Sequence, residues 1–174
     1  VSVEVEPAHG MGWFEIQDVA SQLAALLSGV APGERVADIC AGAGGKTLAL
    51  AAMMNNQGQL IAHDKDRHRL RPIFERLTRA GVQNVEVLAA EAEGKLLPES
   101  FDSVVIDAPC TGSGAWRRKP ESKWKLTPKT LDQRIADQKQ VLMRGAQLVK
   151  PGGRLVYITC SLLAAENTQQ IAQF

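Results

Sequence analysis

The stretch "DICAGAGGKT", residues 38–47, decides how the rest of the chain is read. An acid and an apolar residue lead into a run of small residues that ends in Gly-Lys-Thr, the pattern of a strand, a tight turn and the first turn of a helix. Such a turn lets a ligand approach bare backbone amides and the positive end of a helix. Two phosphate-binding fingerprints fail on spacing. A P-loop requires Gly, four residues and then Gly-Lys-Ser/Thr, but counting back from Gly45-Lys46-Thr47 puts its first glycine at Cys40. A dinucleotide fingerprint begun at Gly42 and Gly44 needs its third glycine where Thr47 stands. The same geometry also suits the carboxylate of an amino acid.

Outward from this loop, β-type runs fall at residues 35–39, 59–63, 84–88, 101–106 and 154–159, and helical apolar spacing at 46–54, 67–80 and 130–149. Alternation of this kind predicts an α/β fold, a parallel sheet with helices on both faces. Ligands of such sheets sit at the carboxyl ends of the strands, where the loop lies. Ahead of the first strand, "IQDVASQLAALLSG" puts Val19, Leu23, Leu26 and Leu27 on one helical face, with Gly29 as a stop. "APGERV" and "KPGGRL" read as turns into strands. The chain ends in "AAENTQQIAQF", read as a helix with no return strand, which suggests a fragment.

The 174 residues fit one domain, and 45% hydrophobic with 22% charged residues is ordinary globular composition. No apolar run reaches the ~20 residues of a membrane span and no signal-peptide layout opens the chain, so the cytoplasm is the expected compartment. Cys40, Cys110 and Cys160 are odd in number and form no CxxC pair, which suggests neither a disulfide framework nor a zinc site. Net charge is +1, but residues 116–154 hold 11 Lys/Arg against 3 Asp/Glu while the remainder holds 9 against 16. A basic block beside an acidic remainder fits a polyanion-facing surface or a solvated helix face.

Three further strand ends carry chemistry. The second closes on His63-Asp64, an acid well placed to accept hydrogen bonds from a ribose diol. Together with the glycine loop it points to a nucleoside cofactor. The fourth ends in "VVIDAPCTGSG", presenting Asp107 and, past Pro109, Cys110; the fifth ends in "LVYITCSLL", presenting Cys160. If the fourth and fifth strands are neighbours, two thiols and a carboxylate cluster beside the loop. His63 and His68 read as surface residues, since no metal constellation includes them.

"DICAGAGGKT", "DAPCTGSG", "WRRKPESKW" and "ITCS", in this order, resemble the RsmB/NOL1/NSUN family of S-adenosylmethionine-dependent RNA cytosine-5 methyltransferases. The resemblance covers nearly the whole chain, and "IQDVASQLAA" is similar to the family's opening helix with its Gln-Asp pair. It implies a single catalytic domain over residues 1–174 with a Rossmann-like methyltransferase fold whose last strands are missing, residues 1–30 forming the opening segment. It also implies S-adenosylmethionine as cofactor, RNA as partner (ribosomal ahead of transfer RNA), no metal and a monomer. The cofactor contacts it implies are Cys40, Ala41, Gly42, Ala43, Gly44, Gly45, Lys46, Asp64, Arg69 and Asp107, with Glu91, or second to it Glu93, where the family has an acid after strand three. The loop reads Gly42-Ala43 where the family usually has Ala-Pro.

By the same resemblance Cys160, in Thr-Cys, is the nucleophile, and Cys110, in Pro-Cys, assists product release. Asp107 hydrogen-bonds the base, and Lys46 orients Asp107 and lowers thiol pKa values. DNA cytosine-5 methyltransferases use the Pro-Cys cysteine instead, so Thr-Cys discriminates RNA from DNA chemistry. In "WRRKPESKWKLTPK", Arg117, Arg118, Lys119 and Lys123 suit phosphates, and Trp124 suits either stacking on a base or burial under the loop. Cys40 is read as packing. A methyltransferase with another substrate and an inactive RNA-binding scaffold are the alternatives.

Overall fold

All five strands point their carboxyl ends at one edge of a single sheet, in the order β3-β2-β1-β4-β5, and every adjacent pair is parallel. The computed structural model describes residues 3–174. Its elements are α1 (Pro7–Gly10), α2 (Val19–Leu27), β1 (Arg35–Asp38), α3 (Gly45–Met53), β2 (Gln59–Asp64), α4 (Arg67–Arg79), β3 (Val85–Ala89), β4 (Phe101–Asp107), α5 (Glu121–Trp124), α6 (Pro128–Leu148), β5 (Val149–Ile158) and α7 (Thr168–Gln173). Each predicted strand and helix is present within a few residues, apart from the earlier start of β5.

Because strand side chains alternate, the sheet offers two apolar faces. One, with Ile61, Val104 and Ile106, is covered by Leu142 and Leu148 of α6. The other, with Val36, Leu60 and Val105, lies beneath Ala25 of α2 and Leu50 and Ala51 of α3, while Leu70, Ile73 and Leu77 of α4 continue that layer over Ala62. Leu50, Leu60, Ile61, Ile73, Ile106, Leu142 and Leu148 are all under 2% exposed or close to it, and full burial of each is worth roughly 1.5–3 kcal/mol. That supplies the drive which fixes register, since a one-residue slip would turn every core side chain to the wrong face.

Helix ends follow from local chemistry. The Asp66 side chain caps α4 by accepting the His68 N–H at 2.9 Å, and Thr127 with Thr130 forms a reciprocal cap on α6, with Pro128 in its first turn. At Gly145 an added Cβ would lie 2.7 Å from Leu155 Cδ1 and 2.8 Å from Ile106 Cδ1, so a larger residue there would have to push both side-chain tips aside.

Three expectations change. Val19, Leu23, Leu26 and Leu27 are 51–84% exposed, and α2 docks instead through Ala25, 1% exposed, because a small side chain allows the closest approach to α3. The "KPGGRL" turn lies within β5: pairing jumps from Phe101–Val149 to Ser103–Arg154, and the intervening residues bulge at Gly152, φ +78°. His63 is buried, 3% exposed, because both faces of β2 are covered at its carboxyl end. His68 is exposed, as expected. Among the described residues no helix is long and apolar enough to cross a membrane.

Asp38, which closes β1, is wholly buried, and its Oδ2 accepts the Thr47 hydroxyl at 2.8 Å, tying the strand to α3. Its Oδ1 has no partner. Burial pushes its carboxyl up to about 7 against the Thr47 hydrogen bond. The native group thus holds its proton more tightly than the unfolded one, so its stabilising contribution is complete below the unfolded carboxyl range and is lost as pH rises through about 7. Asp38→Asn keeps the Thr47 contact without the charge. Melting temperatures followed from pH 4 to pH 8 should fall less steeply in Asp38→Asn than in the parent chain; parallel slopes would contradict the assignment.

Candidate active site

The glycine loop is a turn that another residue would not allow. Gly44 caps α3 at φ +82°, and a Cβ there would lie 2.3 Å from Ile73 Cγ1, so both its conformation and the approach of α4 require glycine. The turn starts α3 with Lys46 in its first turn, its side chain only 12% exposed. Lys46 Nζ reaches across the sheet edge to Asp107 Oδ2, 2.7 Å away at the end of β4. Next to the loop, Asp64 is buried: Oδ2 accepts the Gly42 N–H at 3.0 Å, Oδ1 accepts the Asp66 N–H at 2.9 Å, and Arg69 Nη1 stands 3.2 Å from Oδ2. Cys40 packs against the core on the α6 side, and burial pushes its thiol up to about 12.

β4 and β5 are neighbours, with Asp107 opposite Ile158, so the loops after them run side by side. Two backbone bonds join these loops, Ala108 N–H to Ile158 O and Gly114 N–H to Cys160 O, each 2.9 Å. The result is a Cys110 Sγ to Cys160 Sγ distance of 3.4 Å. When one of two thiols this close ionises, the other's S–H bonds the charge, and the more exposed sulfur, Cys160, is the better place for it. The Cys110 hydrogen bond pulls Cys160 down to about 6, with help from the Lys46 ammonium and against burial and the Asp107 charge. The same bond, with burial, pushes Cys110 well above the thiol range.

Below the thiols lies a residue the sequence did not mark. Glu166 is fully buried in a 3-10 turn after β5 and accepts hydrogen bonds from both cysteine loops, while Gln138 of α6 donates to Pro109 O at 3.0 Å. "AAENT" gives no local clue to this burial. Asp38, beside the glycine loop, was also not singled out, although an acid closing the first strand was a visible signal.

Two cavities open at these strand ends. One of about 430 Å³ is walled by Cys40, His63, Asp64, Arg69, Glu93 and Pro109. Both His63 ring nitrogens are buried there without a partner, and burial lowers the imidazole pKa. Glu93, paired with Arg144 at 3.1 Å, lines this cavity. Glu91 does not; it faces a separate hollow with Arg67, Arg71 and Phe74, because the 3-10 turn after β3 rotates it outward. The second cavity, about 360 Å³, is walled by Asp18, Arg117, Arg118, Thr159, Cys160 and Ser161. A larger hollow between Trp13, Leu23 and Leu48 lies away from the thiols.

The basic segment borders the second cavity. Arg118 is ion-paired with Asp18, while Arg117, Lys119 and Lys123 have no ion pair among the described residues. Lys123 Nζ lies 5.9 Å from the Trp116 ring centre and 5.8 Å from that of Trp124. Trp124 is 81% exposed, so its indole is free to stack. Among the described residues no cluster of three or more His, Cys, Asp or Glu could hold a metal ion.

The family described as 16S rRNA methyltransferase RsmB/F matches residues 25–174. The chain belongs to this family. It is 36% identical over 165 residues to the ribosomal RNA small subunit methyltransferase F of Serratia proteamaculans, covering 92% of this chain and 34% of that one. It is 36% identical over 171 residues to the probable ribosomal RNA small subunit methyltransferase B of Synechocystis, covering 97% and 38%. The chain therefore spans little more than a third of the curated relatives it matches. The solved structure of NSun6 from Pyrococcus horikoshii with SFG superposes with a TM-score of 0.88 at 30% identity, covering 99% of this chain and 44% of that one. The fold of this RsmB/F-family chain is the Rossmann-like fold of S-adenosylmethionine-dependent methyltransferases.

The thiol geometry gives a pH signature. Alkylation of Cys160 by iodoacetamide, read peptide by peptide by mass spectrometry, should rise through about pH 6 rather than the ~8.5 of a free thiol. Cys110→Ala removes the S–H donor and should move the midpoint up toward the free-thiol range. A midpoint already at the free-thiol value in the parent chain would mean that Cys160 is not the charged sulfur.

Proposed function

We propose that this chain is the catalytic domain of an enzyme that transfers a methyl group from S-adenosylmethionine to carbon 5 of cytosine in RNA, ribosomal RNA ahead of transfer RNA. The observation that carries this reading is the pair of sulfurs 3.4 Å apart at adjacent strand ends, beside the Lys46–Asp107 ion pair. The names of its relatives, small subunit ribosomal RNA methyltransferases, support the substrate class.

The residues around the first cavity suit the cofactor. Asp64 Oδ1 accepts one backbone bond and has a lone pair left for a ribose hydroxyl. The unpartnered nitrogens of His63 and the positive-φ turn at Gly42 and Gly44 provide polar edges and bare backbone where a nucleoside amino acid would lie. Glu93, rather than Glu91, is the acid for the adenine side, since it shares the cavity with Asp64. Cys40, Ala41, Ala43 and Gly45 complete the loop, and Arg69 closes over Asp64. The NSun6 relative was solved with SFG, an analogue of S-adenosylmethionine. When bound, the cofactor supplies an electrophilic methyl sulfonium carbon.

Carbon 5 of cytosine is too weak a nucleophile to take that methyl unaided. The Cys160 thiolate adds to carbon 6, forming the S–C6 bond and moving the C5=C6 electron pair into the ring, so that carbon 5 becomes enamine-like. Asp107, held by Lys46, bonds the base edge where charge develops. The Cys110 proton, no longer shared with a thiolate, passes to water. After carbon 5 gains the methyl, Cys110 takes the carbon 5 proton, the C5–H electron pair restores C5=C6, and the C6–S bond breaks with its pair leaving on Cys160 as thiolate. The base reaches the second cavity only by leaving its stack, and Trp124 with Arg117, Lys119 and Lys123 holds the flanking RNA.

Two experiments test this reading. Cys160→Ala should abolish both methylation and covalent RNA adducts, whereas Cys110→Ala should accumulate adduct on a denaturing gel when the cofactor is present. The opposite pattern would make Cys110 the nucleophile. Replacing Arg117, Lys119 and Lys123 with alanine should weaken RNA binding and flatten its salt dependence while leaving S-adenosylmethionine affinity unchanged by calorimetry. Unaltered RNA binding would reduce the segment to a solvated face.

A further inference from the structure

Glu166 is 0% exposed, and none of the ion pairs among the described residues includes it. A carboxylate buried without a cation is costly, and a neutral side chain would fill the same space at less expense. Its ionised form must therefore be stabilised by what surrounds it. Oε1 accepts the Thr111 N–H at 2.9 Å and the Gln138 Nε2–H at 2.9 Å; Oε2 accepts the hydroxyls of Thr111 and Ser161, each at 2.5 Å. These four bonds use about the full acceptor capacity of a carboxylate. They hold its pKa below the usual carboxylate value although burial, the largest influence, pushes the other way.

Two of these donors identify the purpose of the charge. Thr111 directly follows Cys110, and Ser161 directly follows Cys160. One carboxylate grips the residue after each cysteine, from strand ends that are 50 residues apart in the chain. Gln138 braces the same point by bonding both Glu166 and Pro109 O, the carbonyl just before Cys110. Ser113 adds a strut, its hydroxyl 3.1 Å from that of Ser161 and accepting the Leu162 N–H at 2.7 Å.

We propose that Glu166 is a positioning residue for the methyl-transfer reaction: by binding Thr111 and Ser161 together it sets the Cys110–Cys160 sulfur contact on which covalent addition and product release both depend. It touches neither sulfur, and acts through the two loops. The inference rests on the function proposed above, and a thiol measurement that needs no RNA separates the two.

The test compares Glu166→Ala, Glu166→Gln and Thr111→Val, each checked for folding by circular dichroism and thermal melting and for S-adenosylmethionine binding by calorimetry. Iodoacetamide alkylation of Cys160 across pH is read by mass spectrometry, and methylation of small subunit ribosomal RNA is measured alongside. Glu166→Ala should move the alkylation midpoint toward that of an ordinary thiol and cut methylation about 10²-fold, the scale of a misplacement near 1 Å. Glu166→Gln should restore part of both, since its amide oxygen still accepts from Thr111 and Gln138. Thr111→Val, which removes one link, should move both readouts the same way by less. A folded, cofactor-binding Glu166→Ala with unchanged midpoint and methylation overturns the proposal. If Glu166→Ala does not fold, unchanged midpoints in both Glu166→Gln and Thr111→Val overturn it equally. Shifted midpoints with no methylation by the parent chain would uphold the clamp and refute the function; normal parental methylation with unmoved midpoints would do the reverse.

Discussion

The parallel pairing of β4 with β5, Asp107 opposite Ile158, is the constraint from which the site follows. Parallel neighbours end at the same edge, so their following loops meet with no long excursion by either. The bulge at Gly152 absorbs the extra residues at the start of β5 and lets the register run on unbroken from Ser103–Arg154 to the carboxyl ends. A one-residue change in that register would move Cys160 by about 3.3 Å along the strand and turn it to the other face. The sulfur pair would then be lost.

Acids crowd this edge of the sheet. Asp38, Asp64 and Asp107 close β1, β2 and β4, and two of them are buried. Each is stabilised differently: Asp38 by keeping its proton up to about 7, Asp64 by backbone N–H groups and Arg69, and Asp107 by Lys46. Lys46 is the most consequential of these partners, because its charge also favours the Cys160 thiolate that Asp107 opposes. A helix-start lysine turned inward thus lies beside Asp107 and close enough to act on Cys160, and its position depends on the glycine turn that aims α3.

Pro109, next to Cys110, lines a cavity with the Asp64 and Glu93 carboxylates, and Cys160 lines another walled by arginines. Their chemistry differs as the proposed ligands differ: a diol and an amine on one side, a phosphate-flanked base on the other. The exposed Trp124 and the lysine between two indoles extend the second side outward, while α6 supplies the wall behind the first.

Much of this was legible in the sequence because it is local. Period-two and period-3.6 patterns marked the strands and helices, and the spacing of "DICAGAGGKT" excluded both phosphate loops and left a turn at a ligand-binding edge. Asp64, Asp107 and the thiols after β4 and β5 could be named as a group, since parallel strands bring their ends together. Three features depended on tertiary contacts. The apolar stripe of α2 faces outward because packing against α3 goes through Ala25, which periodicity cannot foresee. Glu93 lines the cavity with Asp64 and Glu91 a separate one, because a 3-10 turn after β3 decides which way each acid faces. Glu166 stands in an ordinary polar stretch, and only the meeting of two loops and α6 above it turns a surface-type residue into a buried anion with four donors. A sequence fixes which groups are available near a strand end; which of them lose their water, and so gain strength as charges and hydrogen-bond partners, is settled only when distant segments close over them.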